Sequence, residues 1–430
     1  MIAPTLPFLR CRPMLCVVWM GMRVHRFHGL VVAAVLFLVS VPAQGFIPVG
    51  ENVTLVPVPE IVTDPNEGTT VGVLGTLLFT DEKQEIYRMI APDVRYNPNT
   101  GVYPMFRWFE YLSAKQRFVL LAGKATKIGE YFEGDGSAED LSNGWFDVRL
   151  QALHENDPFE RFFGFGNDTT SATETNYTSD TGLLHGYLGV NVGMDVQVRT
   201  ETRWRVVRVR QGGVDSITQL IGDPTFANVP GIDGATIVGQ GFSARYDSRD
   251  DTFISTQGGF ATVGVEIIDE ALGSSASYVK YGIEGRWFVP LRSDKHFILA
   301  SQAALNYMQG GDRAPFYDRN PLGGESSLRG FGSNRFIDND RFFARSELRI
   351  NVWEPRWLTE QFNVRGHVEV APLVELGRVF ASSHTFPLEN PHVDGGVAFR
   401  AVIPPQLVAF IDVATTGGSP AVFTGVDYPF

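Results

Sequence analysis

The amino-acid sequence predicts an all-β chain closed into a membrane-spanning antiparallel β-barrel. Three features predict it. Apolar and charged residues alternate with a period of two in segment after segment. These segments run to about 10–15 residues, against the usual ~5–6 of globular sheets. After Ala43 no apolar run is long enough for a transmembrane helix. A chain that crosses lipid without helices must pair every strand edge, and only a closed barrel does so.

The composition agrees. Aromatic residues make up 12% of the 430 and charged residues 20%, with 45 glycines, which suits many strands joined by turns and not a disordered or helix-rich chain. The first segment reads as a secretion signal. Arg23, His25, Arg26 and His28 are its basic region, Leu30–Val39 its apolar core, and Val41-Pro42-Ala43 its cleavage site. Met22 fits as the start, which leaves 1–21 as an extension. A membrane-anchoring helix from Leu15 to Leu38 is the other reading, but Arg23 and Arg26 interrupt it. Cleavage after Ala43 removes Cys11 and Cys16, so the rest can form neither a disulfide nor a thiolate metal site. Four arginines and no acid go with them, and the net charge moves from −12 to −16. That acidity argues against nucleic acid as a partner. Residues 44–67 contain Pro48, Pro57, Pro59 and Pro65 and read as a short periplasmic lead; 68–430 reads as the barrel.

Within 68–430 the alternation is explicit. Asp147, Arg149 and Gln151 alternate with Phe146, Val148, Leu150 and Ala152. Gln197, Arg199, Glu201, Arg203 and Arg205 alternate with Val196, Val198, Thr200, Thr202, Trp204 and Val206. Arg345, Glu347, Arg349 and Asn351 alternate with Ser346, Leu348, Ile350 and Val352. A soluble sandwich gives the same alternation with its apolar face inward; strand length and the chain ends favour the barrel. Sixteen candidate strands run from 68–81 to 420–430, with 116–131 and 142–155 the fourth and fifth. An even count puts both barrel ends on the periplasmic side. Tight connections such as Pro404-Pro405 read as periplasmic turns, and long ones such as 213–237 and 311–341 as extracellular loops.

In the last strand Thr424, Val426, Tyr428 and Phe430 share one face, with Gly425, Asp427 and Pro429 on the other. This pattern resembles the C-terminal signal by which outer-membrane barrels are recognised by their assembly machinery.

The segment 322–336, LGGESSLRGFGSNRF, lies between the eleventh and twelfth candidate strands. Its Leu328-Arg329-Gly330-Phe331, with Gly323-Gly324 before and Phe336 after, resembles the hallmark of the bacterial surface-antigen superfamily. That superfamily includes the outer-membrane barrel-assembly proteins and the transporters of two-partner secretion. Other stretches match it: Arg245 to Asp250 followed by Gly258-Gly259, Leu373 to Phe380, Asp394-Gly395-Gly396 through Pro405, and Ile411-Asp412-Val413. The resemblance covers about 68–430. It implies that the loop folds back into the lumen and that Arg329 forks onto an inward carboxylate of the thirteenth strand, where Glu375 stands in place of the family's aspartate. Period two sets Glu375, Glu369 and Gly377 on one face, inward if Val374 and Leu376 meet lipid. A fixed structural lock and a mobile, transport-linked element are both open roles for the pair. Between Ala43 and the first strand no POTRA domain fits, so the resemblance is to a short member without one. Residues 161–180, rich in Gly, Thr and aromatics, read as extracellular loop and aromatic rim.

Three functions compete. The resemblance implies aid to protein or lipid insertion or transport at the bacterial outer membrane, with outer-membrane lipids including lipopolysaccharide, the barrel-assembly machinery and an unidentified protein client as partners. A passive pore lined by Arg199, Glu201, Arg203, Arg205, Arg345, Glu347 and Arg349 is the alternative. An enzyme is the third, but the six histidines after Ala43 form no nucleophile–base pattern; His384, His392 and Asp394 surround one predicted loop. No catalytic, cofactor or metal residue is assigned. Asp338-Asn339-Asp340 lacks the spacing of a calcium loop.

Overall fold

The computed structural model describes residues 47–430, apart from 51, 65, 83–85, 114, 357–365, 382–387, 404–406, 419, 427 and 429. The signal segment 1–43, the Pro404-Pro405 turn, His384 and the side chains of Thr424 and Val426 lie outside that description.

The described strands pair antiparallel with their chain neighbours. They are β1 (Ile47–Gly50), β2 (Val53–Asp64), β3 (Gly68–Thr80), β4 (Ile86–Ile90), β5 (Asp93–Asn97), β6 (Gly101–Ser113), β7 (Gln116–Lys124), β8 (Glu130–Asp140), β9 (Phe146–Phe162), β10 (Thr175–Gly193) and β11 (Val196–Gln211). Then come β12 (Ala235–Asp247), β13 (Gly258–Ile268), β14 (Tyr278–Pro290), β15 (Phe297–Gln309), the short pair β16 (Asn320–Leu322) and β17 (Phe336–Asp338), β18 (Asp340–Trp353), β19 (His367–Phe380), β20 (His392–Ile403), β21 (Leu407–Thr415) and β22 (Ala421–Val426). The wall runs from β2 to β22, with β4 and β5 sharing one place in it, and β22 lies against β2. β16 and β17 form a ribbon inside the long connection between β15 and β18.

The polarity of the faces identifies the kind of sheet. On β9, Asp147, Arg149 and Gln151 are buried while Leu150 is 60% exposed. On β18, Arg345, Glu347 and Arg349 are buried and Val352 is exposed. A soluble sandwich buries its apolar face. Here the charges are inside and the apolar side chains outside, as lipid requires. The pattern reverses near one end. On β11 the buried face changes from Gln197 and Glu201 to Val207, and the outward face from Val198 and Trp204 to the exposed Arg208 and Arg210. Beyond that level Phe162, Tyr177, Leu220, Phe226, Phe316 and Ile337 form an apolar cap inside the loops, with the Phe162 and Phe316 rings 4.7 Å apart. This is the loop end of the barrel; β2 begins and β22 ends at the opposite, turn end.

The sequence reading misses two strands. The candidate 116–131 takes in β7 and only the first two residues of β8, and 132–140 falls between two candidates, because the outward residues of β8 include Gly134, Gly136 and Ala138, too small to make an apolar face. β2 falls in the segment read as a periplasmic lead, yet it pairs with β3 along its length. Its prolines explain both facts. The Gly75 N–H bonds to Pro92 O, away from β2, so the opposed pair Pro57–Gly75 is not a hydrogen-bonded one. The nitrogens of Pro57 and, two residues on, Pro59 therefore face the edge away from β3, where proline is tolerated. Among the described residues no hydrogen-bonded register joins that edge to β22.

The last strand is shorter than expected. β22 ends at Val426, and Tyr428 and Phe430 do not continue its outward face. Pro429 brings no N–H to a ladder. Phe430 is buried with Phe288, Ile298 and Ala300 on the inner side of β14 and β15.

Candidate functional site

The interior is organised around the connection 310–339. Its tip is a tight turn: Phe331 N–H donates to Leu328 O, and Gly324 N–H is shared between Leu328 O and Phe331 O. Leu328 is buried with Leu322, Phe336, Phe343 and Val379, and Phe331 packs on the same cluster. That apolar seat fixes the direction of the next residue. Arg329 has no solvent exposure, nor do Glu347, Glu375 and Asp412 around it.

The structure brings Arg329 and Glu375 together and adds partners. Arg329 Nε donates to Glu375 Oε1 at 2.8 Å, and Nη2 lies 2.7 Å from the same oxygen. Its backbone N–H donates to Glu375 Oε2 at 2.6 Å. Nη1 reaches Asp412 Oδ2 at 2.6 Å and Glu347 Oε1 at 2.8 Å. The Gly330 N–H donates to Asp394 Oδ2 at 2.7 Å. One carboxylate therefore comes from each of four neighbouring strands, β18 to β21. Arg400 of β20 closes the network, with Nη1 and Nη2 each 2.9 Å from a Glu347 oxygen.

Gly330 is required by this close approach and not by a left-handed backbone. A Cβ there would sit 2.6 Å from the Cβ of Asp394. Gly330→Ala is expected to push Asp394 aside, weaken its bond to the loop and destabilise the barrel by about 1–3 kcal/mol. The check is the temperature at which the folded band is lost on unheated-versus-heated gels.

A second contact holds the same loop to the other side of the wall. Asp318 is buried, and its Oδ1 accepts from Arg203 Nη1 at 2.6 Å. Its Oδ2 accepts from Arg203 Nη2 at 3.1 Å and Tyr278 OH at 2.6 Å, and lies 2.9 Å from Lys280 Nζ. Burial pushes the Asp318 carboxyl up, but Arg203 and Lys280 hold it well below its ordinary value. The loop is thus clamped by a cation at one point and an anion at another. Asp318 carries no motif; its only sequence signal is an acid in a long loop opposite the inward arginine of β11.

The remaining expectations sort as follows. Arg203, Arg345 and Arg349 face inward and are bonded: Arg203 also to Glu266, Arg345 Nε to Gln302, Arg349 Nε to Glu347. All three are engaged by partners inside the wall. The segment 163–174 lies over the loop, with Gly166 N–H donating to Ile337 O and Arg335 Nη1 to Thr169 Oγ1. His392 stacks on Phe336 at 3.9 Å and contacts Asn167 O, while Asp394 serves Gly330. Asp340 Oδ1 accepts from Met308 N–H. Among the described residues no group of three His, Cys, Asp or Glu is placed to hold a metal ion.

From the turn end the chain's own tail crosses beneath the charged network. Tyr428 OH donates to Glu369 Oε2 at 2.9 Å, with Arg349 3.9 Å above its ring. Arg345 lies 4.2 Å over the Phe430 ring, and Arg349 Nη2 donates to Phe430 O at 3.1 Å. Loop and tail therefore fill the lumen from opposite ends. Replacing Tyr428 and Phe430 together by alanine is expected to raise ion conductance in planar bilayers and to cost about 1.5–3 kcal/mol for the buried Phe430 ring, with a smaller loss for the half-buried Tyr428.

Comparison with known proteins gives a family match. The Omp85 superfamily domain matches residues 131–387. The crystal structure of BamA from Haemophilus ducreyi lacking POTRA domains 1–3 is similar over 92% of this chain and 78% of that one, at 16% identity and a TM-score of 0.52. CdiB from Escherichia coli is similar over 89% of this chain, which spans 64% of it, at 11% identity and a TM-score of 0.51. At these identities the two structures speak for the fold.

Proposed function

The chain belongs to the Omp85 superfamily, and from this we propose that it helps a protein or lipid insert into, or cross, the outer membrane. It is an outer-membrane β-barrel, and among the described residues no POTRA domain is present. In this reading 1–43 is a cleaved signal, the long loops face outward, and both ends of the wall face the periplasm. Tyr428 and Phe430 would serve the assembly machinery before folding, since afterwards the Phe430 ring is buried and Tyr428 is engaged by Glu369 and Arg349.

The observation that carries the reading is the clamped loop. The connection 310–339 is pinned by ionic contacts of opposite sign and by no covalent bond. Such contacts can exchange partners, whereas a passive channel needs open, water-filled space. The test is insertion into vesicles. A urea-unfolded outer-membrane barrel is diluted into liposomes with and without the full chain, and its folding is followed by gel mobility. Liposomes containing the chain should fold it several-fold faster, and Arg329→Ala should remove the gain. Equal rates with and without the chain would defeat the proposal. A large, steady single-channel conductance that persists in Arg329→Ala would favour the pore.

A further inference from the structure

We infer that the outward face of β7 to β11, at the loop end, is a seat for a phosphorylated lipid. The first observation is a row of polar residues at one height. Strand register places Lys124 opposite Glu130, Glu130 opposite Asn156, Asn156 opposite Asp180, and Asp180 opposite Arg208. Just above the row, Lys127 of the β7–β8 turn and Arg210 of β11 complete a cavity of about 410 Å³, shared with Lys124, Glu130, Asn156 and Thr178. That volume is within the range of small-ligand sites.

Charge says what the cavity takes. Lys124 lies 2.6 Å from Glu130, Arg210 2.5 Å from Asp180, and Arg208 3.9 Å from Asp180, while Lys127 Nζ donates to Pro98 O. Four cations thus stand against two carboxylates, on a chain whose net charge is −12. A local positive excess selects an anion, and ammonium and guanidinium groups bind phosphate oxygens strongly.

The wall below says that the anion is attached to acyl chains. Directly under the polar row stand Phe132, His154 and Gly182, with Leu184 and Trp204 one level lower; Phe132, Leu184 and Trp204 are exposed, and the His154 ring stacks on Phe132, 3.5 Å from Glu130. Between them Gly134 and Gly182 leave open space where a Cβ would stand. A cationic pocket over a trough that is apolar below His154 fits an amphiphile whose phosphate sits in the pocket and whose chains run down the trough. The polarity change on β11 puts the pocket at headgroup level, above Trp204. The assignment to the outer leaflet rests on the reading that the long loops face outward; binding in detergent does not depend on it.

The test uses the full chain in detergent and lipid A, an acylated disaccharide bearing two phosphates. Binding is measured for wild type, for Lys127→Ala with Arg210→Ala, and for Gly134→Leu, which fills the trough without touching the cations. Gel mobility before and after heating shows that each barrel is folded. The double variant should bind at least about tenfold more weakly. Gly134→Leu should also bind more weakly, and excess inorganic phosphate should not displace the lipid from wild type. Equal binding by wild type and the double variant would overturn the proposal. Displacement by inorganic phosphate alone would overturn it too, since the site would then be one for a soluble anion.

Discussion

Arg329→Ala is expected to destabilise the barrel by about 3–5 kcal/mol, the usual cost of removing one partner from a buried ion pair. The reason is what it leaves behind. Glu347, Glu375 and Asp412 would face one another without exposure, with Arg400 left beside the first and third, Arg349 beside Glu347, and Arg345 4.0 Å from Glu375. Arg329→Lys should recover only part of the loss. A single ammonium cannot reach Glu375, Glu347 and Asp412 together as the planar fork does. Thermal loss of the folded gel band and protease cleavage within 310–339 are the measurements. An unchanged transition with an unchanged cleavage pattern would refute the clamp.

Asp318→Ala is expected to cost about 3 kcal/mol by the same argument with the signs reversed. Arg203 would keep Glu266, but Lys280 would lose its carboxylate partner at 2.9 Å. Each single variant leaves the loop tied at the other anchor. The combination Asp318→Ala with Arg329→Ala removes both ties and should open 310–339 to proteolysis far more than either change alone. A double variant as resistant as the singles would show that the apolar contacts of Leu328 and Phe316 hold the loop unaided.

These two anchors show how unevenly the site could be read from the sequence. The period-two segments around Arg149, Glu201 and Glu347 fix both the wall and its polarity, because a strand has only two faces. Arg329 and Glu375 were legible through a motif and a register. Glu347 was visible as an inward residue, but its role depends on which strand adjoins which, and Asp412 and Arg400 depend on β21 and β20 flanking the same spot. Asp318 was hidden because loops carry no period. β2 was hidden for another reason: its prolines suppress the local strand signal while their nitrogens face away from β3 and cost no bond to it. The tail was misread because alternation continues through Tyr428 and Phe430 after the strand has stopped. Alternation records spacing along the chain and not which way the chain turns.

The prolines of β2 have a mechanical consequence. The edge of β2 that faces β22 lacks donors at 57 and 59, and among the described residues no hydrogen-bonded register joins it to β22. At about 0.5–1.5 kcal/mol per hydrogen bond, two absent bonds weaken that closure by about 1–3 kcal/mol. This corresponds to an opened fraction roughly five- to hundredfold larger than for a fully bonded junction. Under lateral tension or a thinning bilayer, the ring should part first between its beginning and its end. The fracture line is thus set by two side chains that cannot carry an amide hydrogen.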